Sequence, residues 1–221
     1  RPKTESLGFM KSISHLKDKE IILYFLGYFF FFCGFNILRG DLTYYLSAVM
    51  QKDIKYLTVI SVVLFGMAGL FFPITNKFGK KYSYKKILIV DMLLLIIGTF
   101  GLLFINKNNS IFAYLLFVIC GTGLSGAAFI FPQAMLSEIS AKLSEIKKVS
   151  LEGFMFGIQG MFLKLAFLVQ QVVQSTLLVA GNQNIQNGVK GATELGVKVT
   201  LVVALALFGV SLFFYNLKKE D

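Results

Sequence analysis

Residues 153–179 read GFMFGIQGMFLKLAFLVQQVVQSTLLV, an apolar run with one lysine, Lys164, near its middle. A bilayer core about 30 Å thick is crossed by roughly 20 helical residues, so this run is long enough to span it with room to tilt. Lys164 lies 11 residues from Gly153, roughly 16 Å along a helix axis and beyond the comfortable reach of a snorkelling lysine stem. Gly153, Gly157, Gly160, Lys164, Gln171 and Ser175 step by 4, 3, 4, 7 and 4, which keeps them on one face of a 3.6-residue helix. Small residues on that face let another helix approach closely, and the polar ones ask for water or hydrogen-bond partners. A charge at membrane depth costs at least about 2.5–3.5 kcal/mol and needs a reason. Two readings fit: a substrate or coupling-ion residue facing a central cavity, or an ion pair with a carboxylate on an adjacent helix.

Five further runs, 21–46, 56–75, 87–105, 111–131 and 197–217, have similar length and polarity. The whole chain of 221 residues is 56% hydrophobic and only 15% charged, whereas a soluble domain carries roughly a quarter charged residues. With no water at membrane depth to satisfy backbone amides, and no period-two alternation, each run is predicted to be helical. The fold class is therefore an all-α membrane protein with a six-helix bundle over 21–217, a cytoplasmic linker over 1–20 and a short cytoplasmic C-terminus over 218–221. The chain opens on Arg1 with a polar stretch, without a secretory-signal pattern, and reads as a processed product or a segment of something longer.

The net charge of +10 tests as membrane topology before nucleic-acid binding. Fifteen cations, among them Lys77, Lys80, Lys81, Lys85 and Lys86 after the second run, fall on one side of the six spans. Five, Lys52, Lys55, Lys107, Lys190 and Lys198, fall on the other. The richer side is cytoplasmic, which puts both termini there and the protein in a cell membrane. Cys33 and Cys120 sit inside apolar runs and cannot build a disulfide framework or a Cys-type zinc site. His15, the only histidine, lies in the tail. No constellation supports nucleophilic or metal catalysis, and no cofactor is implied.

The remaining charges near membrane depth are Arg39, Asp41 and Asp91. Asn36, Gly40, Thr43 and Ser47 step by 4, 3 and 4, giving a polar seam beside Tyr44 and Tyr45. Aromatics beside such a seam suit sugar stacking, but tyrosine is as common in an interfacial belt. Arg39 and Asp41 accordingly read either as interfacial or as flanking a break at Gly40 in a longer helix. Asp91, four residues inside its span, reads as a rim residue near Lys85 and Lys86. The GTGLSG sequence over 121–126 spells a dinucleotide fingerprint, but without a preceding strand its glycines read as helix packing. Asn108-Asn109-Ser110 is a glycosylation sequon in a tight turn.

Two segments resemble the glycoside–pentoside–hexuronide:cation symporters, the melibiose-permease-like branch of the major facilitator superfamily. The first reads A-M-L-S-E over 134–138, then Glu152-Gly153, Gln159, and K-L-A over 164–166. It is similar to that family's loop between the tenth and eleventh helices and its lysine-bearing eleventh helix. The second, N-K-F-G-K-K over 76–81, is similar to the superfamily's basic loop, and Asn36 with Tyr44-Tyr45 matches the family's seventh helix. Ala141, Ser144, Lys148 and Ser150 depart from the loop's charge pattern. The resemblance implies one half-bundle of a major facilitator fold, helices seven to twelve, with residues 1–19 in the central linker. It implies transport of a small solute, a sugar or glycoside first, coupled to Na+ or H+. The partners are then membrane lipid, the solute and an N-terminal six-helix half. It places Lys164 near the sugar and cation sites and the loop acids in gating; the candidate substrate or cation contacts are then Lys164, Gln171, Asn36, Tyr44, Tyr45, Arg39 and Asp41, and the candidate gating-loop residues Glu138, Glu152, Lys77 and Lys80. The competing reading is a six-helix membrane protein that does not transport but binds or stabilises a partner complex.

Overall fold

The computed structural model describes residues 19–147, 151–180 and 191–217. The tail that carries His15, the residues 148–150 and 181–190, and the end 218–221 lie outside the described residues. With them lie the linker, the C-terminal segment and several of the cations counted above. Seven α-helices account for most of what is described: α1 Lys19–Tyr44, α2 Tyr56–Tyr82, α3 Tyr84–Leu102, α4 Ile111–Ala127, α5 Phe131–Lys147, α6 Glu152–Leu177 and α7 Glu194–Leu217. There is no strand among the described residues.

Five segments are long and apolar enough to cross a membrane: Lys19–Val49, Tyr56–Tyr82, Ile111–Ile146, Glu152–Leu177 and Glu194–Leu217. The expected third span, α3, is a helix of 19 residues. What sets it apart from the five is charge: Lys85, Lys86 and Asp91 all fall within it. The chain is thus a multi-pass membrane protein.

Hydrogen bonds between helix ends show how the elements alternate in direction. At the Lys19 end of α1, Tyr24 Oη donates to Pro132 O at the start of α5 (2.7 Å), and Gln159 Nε2, early in α6, donates to Tyr24 Oη (2.7 Å). There, too, Lys85 Nζ at the start of α3 donates to Asn216 O at the end of α7 (3.0 Å). At the opposite end, Tyr45 Oη donates to Leu102 O at the close of α3 (2.8 Å). The N–H of Thr193, before α7, donates there to Leu178 O, after α6 (3.0 Å).

The packing has an inverted two-fold pattern. α1 lies on α6 and α7, as α4 lies on α2 and α3, and α3 meets α7 across the middle. Exchanging α1 with α4, α2 with α6 and α3 with α7 reproduces the same set of contacts with each helix reversed, the arrangement of inverted three-helix repeats. Burial follows the pattern. Of the apolar windows, 72% of that in α1 and 61% of that spanning α4 and α5 are buried, against 17% in each of α2 and α6. α1 and α4 are the two cores, and α2 and α6 present open faces.

Glycines let the α4 core close. A Cβ at Gly121 would run into Leu64 O of α2, and one at Gly123 into Asp91 O of α3. Only a hydrogen side chain permits both approaches, so the glycine fingerprint is helix packing as expected.

Three local expectations change. Gly40 does not break the first helix, which runs through it and closes on a π-helical turn, Tyr45–Val49. The basic stretch after the second span is not a loop: α2 continues to Tyr82, and Ser83 (φ 107°) alone turns the chain into α3. The stretch after 131 is likewise helical. In α5 the residues Met135, Leu136, Ile139, Ser140 and Leu143 are buried, while Glu138 and Glu145 face outward. Its charges occupy one face of an amphipathic helix, and so the polar composition had concealed it.

Candidate functional site

Lys164 stands mid-way along α6 on its exposed side. It has no ion pair or hydrogen bond with any described residue, so the reading of an internal ion pair finds no carboxylate within this bundle. Gly153, Gly157 and Gly160 share that side, and a Cβ built at any of them meets nothing within 4 Å. Gln171 and Ser175 continue it outward. The opposite side of α6, Met155, Gln159, Ala166 and Gln170, is buried against the bundle. The helix thus has one face packed by its own chain and one polar, small-residue face that its own chain leaves bare. α2 matches it, with Gly69 meeting nothing and Gly66 touching only its own Val62 at 3.8 Å.

The structure divides the other predicted residues. Arg39 is exposed, with its guanidinium 5.7 Å from the Phe167 ring centre of α6, one turn from Lys164. That contact places Arg39 on the same α1–α6 edge as Lys164. Asn36 is buried, and its Nδ2 has no hydrogen-bond partner. Tyr44 is exposed, whereas Tyr45 is buried, bonded to Leu102 O and set edge-on to Phe117 of α4. The two tyrosines therefore point to different environments, and Tyr45 is not brought near Lys164.

Asp41 is buried within the bundle. It is 1% exposed, and its carboxylate accepts from Gln174 Nε2 of α6 (2.8 Å, at Oδ1) and Thr200 Oγ1 of α7 (2.6 Å, at Oδ2). Gln170 Nε2 in turn donates to Gln174 Oε1 (2.8 Å). Gly40 makes this possible, since a Cβ there would collide with Gln174 Nε2 and lie 2.6 Å from Gln170 Nε2. Gln170, Gln174 and Thr200 escaped the sequence reading. The i,i+4 glutamine pair inside an apolar run was the available signal, but nothing local to residue 200 pointed to Asp41.

Asp91 is also buried, toward the end of the bundle that holds Lys85. Its Oδ2 lies against Gly126, has no hydrogen-bond partner, and shares the Lys19 end with the Thr75–Ser125 hydroxyl pair (2.7 Å). The helices of this cluster, α2, α3 and α4, are those that exchange with α6, α7 and α1 of the Asp41 cluster, although the carboxylate sits on α3 here and on α1 there. Each end of the bundle therefore buries one carboxylate.

Of the four expected gating residues, Lys80 and Glu138 line one cavity of about 1150 Å³ at the Lys19 end, together with Lys19, Glu20, Lys142 and Glu145. Lys77, on the last turns of α2, and Glu152, the first residue of α6, do not line it. Among the described residues no group of three His, Cys, Asp or Glu side chains could hold a metal ion.

Two reversed sets of helices around two cores, with an uncovered face on each of α2 and α6 and a polar one on α6, define a transporter-type membrane bundle. The family profile described as MFS/sugar transport protein matches residues 2–219, nearly the whole chain, and the chain belongs to that family. No match was found among curated protein sequences.

Proposed function

We propose that this chain is the C-terminal half of a cation-coupled solute symporter of the cell membrane, with a sugar or glycoside as its solute. In this reading all six spans, α3 included, cross the bilayer, both termini are cytoplasmic, and an N-terminal six-helix half covers the bare faces of α2 and α6. Alternating access comes from rocking of the two halves about a solute bound between them. Lys164, Arg39 and Gln171 supply polar contacts on this side of the site. A coupling Na+ or H+ biases the states through its different affinity for each. Lys80 and Glu138, in the groove at the cytoplasmic end, take part in closure.

The observation that carries the proposal is the bare α6 face. Left against hydrocarbon, Lys164 alone would cost at least about 2.5–3.5 kcal/mol, while Gln159, Gln170 and Gln174 of the same helix are bonded within the chain. Such a face is economical only where a wet cavity or another bundle meets it. The test is uptake of radiolabelled melibiose and a panel of mono- and disaccharides into proteoliposomes, with wild-type protein and Lys164→Ala. Saturable uptake lost in the variant is expected. Uptake that is unchanged by the substitution overturns the assignment of Lys164. A stoichiometric foreign subunit with no flux of any sugar would favour the non-transporting alternative.

A further inference from the structure

The Asp41 cluster carries an inference about the coupling step, which rests on the transport reading above and specifies its ion. We infer that Asp41 is a proton-binding site, protonated at Oδ2 and hydrogen-bonded through Thr200 to the backbone of α7.

The argument is a count of hydrogens. Thr200 Oγ1 lies 2.6 Å from Asp41 Oδ2 and 2.8 Å from Val197 O. A hydroxyl has one proton and can donate to only one of these acceptors. If Asp41 is ionised, the hydroxyl serves the carboxylate and the Val197 contact is empty. If Asp41 carries a proton at Oδ2, that proton goes to Thr200 Oγ1 and the threonine proton goes to Val197 O. Both short distances are then true hydrogen bonds at once. Gln174 Nε2 donates to Oδ1 in either state.

Charge points the same way. Asp41 lies eight residues inside the Lys19–Val49 span, about 12 Å from its end, where an unpaired carboxylate is costly. No cation faces it. On α1, Arg39 turns to Phe167 and Tyr45 to Leu102. On α7, Lys198 is held by Glu194 at 2.6 Å. On α6, the residues from Ala166 to Leu177 include no ionisable group. A metal ion would need a shell of oxygens, but the α6 side presents donors. Gln170 donates to Gln174, and Gln174 donates to Asp41.

The proton comes from water and returns to it, converting carboxylate to carboxylic acid and back. Its loss leaves a negative charge with two neutral donors and no facing cation among the described residues at the junction of α1, α6 and α7. Water must then enter or the helices must separate, which links loading to the position of α6, the helix whose other face carries Lys164.

Infrared difference spectroscopy of the full-length protein in lipid nanodiscs, titrated between acid and alkaline pH, tests this without any solute. The expected result is a carboxylic-acid C=O component that fades as pH rises, is missing from Asp41→Asn and remains in Asp91→Asn, which removes the second buried carboxyl. In Thr200→Val the band moves to higher frequency, because the acid has lost its acceptor. The amide I band of the same spectra reports whether each variant is folded. A band unchanged in folded Asp41→Asn overturns the proposal, as does one bleached by sodium chloride at fixed pH. If the titration holds but no sugar is taken up, the transport reading fails and the proton site stands.

Discussion

Glycines on the two sides of this bundle should behave in opposite ways when given a methyl group. In Gly126→Ala the new Cβ drives into Asp91 Oδ2 and the Phe131 ring. Overpacking of that kind costs about 1–3 kcal/mol, offset by at most about 1 kcal/mol of improved helix propensity. In Gly157→Ala the new Cβ meets nothing within 4 Å, so only the propensity gain of up to about 1 kcal/mol remains. The two variants should therefore differ by on the order of 1–3 kcal/mol, roughly tenfold or more in unfolding constant. The protein has no tryptophan, but Cys33 and Cys120 are free and fully buried. A thiol-reactive fluorophore thus reports thermal unfolding in detergent directly. Gly126→Ala should label at lower temperature than wild type, and Gly157→Ala at the same temperature or higher. A bulkier Gly157→Leu should remain folded and lose sugar uptake, because it blocks the helix that approaches this face. Equal destabilisation by the two alanines would show that the α6 face is packed within this chain. Undiminished uptake by Gly157→Leu would show that nothing approaches it.

Other substitutions separate scaffold from site. Tyr45→Phe removes the bond to Leu102 O and should lower stability by about 1 kcal/mol, measured with the same dye, while leaving the apparent KM for the transported sugar unchanged. Gln159→Leu strips the buried Tyr24 hydroxyl of its donor and should cost about 1–3 kcal/mol, again without altering sugar affinity. Lys164→Met should abolish uptake while making this chain up to about 2.5–3.5 kcal/mol more stable in lipid, read by resistance to unfolding in sodium dodecyl sulfate.

Much of the bundle was legible because a bilayer leaves backbone amides few options. Apolar runs of the required length become helices, and the spacing of Gly153, Gly157, Gly160 and Lys164 showed that they share a face. The polar composition of 134–147 hid a helix, since α5 buries only one narrow stripe. The stretch around Gly40 looked like a break, yet the glycine is there to admit two glutamine side chains.

What the chain order alone determined was which segments are helices and which side of α6 is polar, since both follow from hydropathy and a 3.6-residue period. Only the tertiary structure decided that this side is left uncovered, and that Asp41, Gln174 and Thr200 meet. Their contacts join positions 133 and 159 residues apart, and such partners are selected by how helices reverse and pack, not by any local pattern.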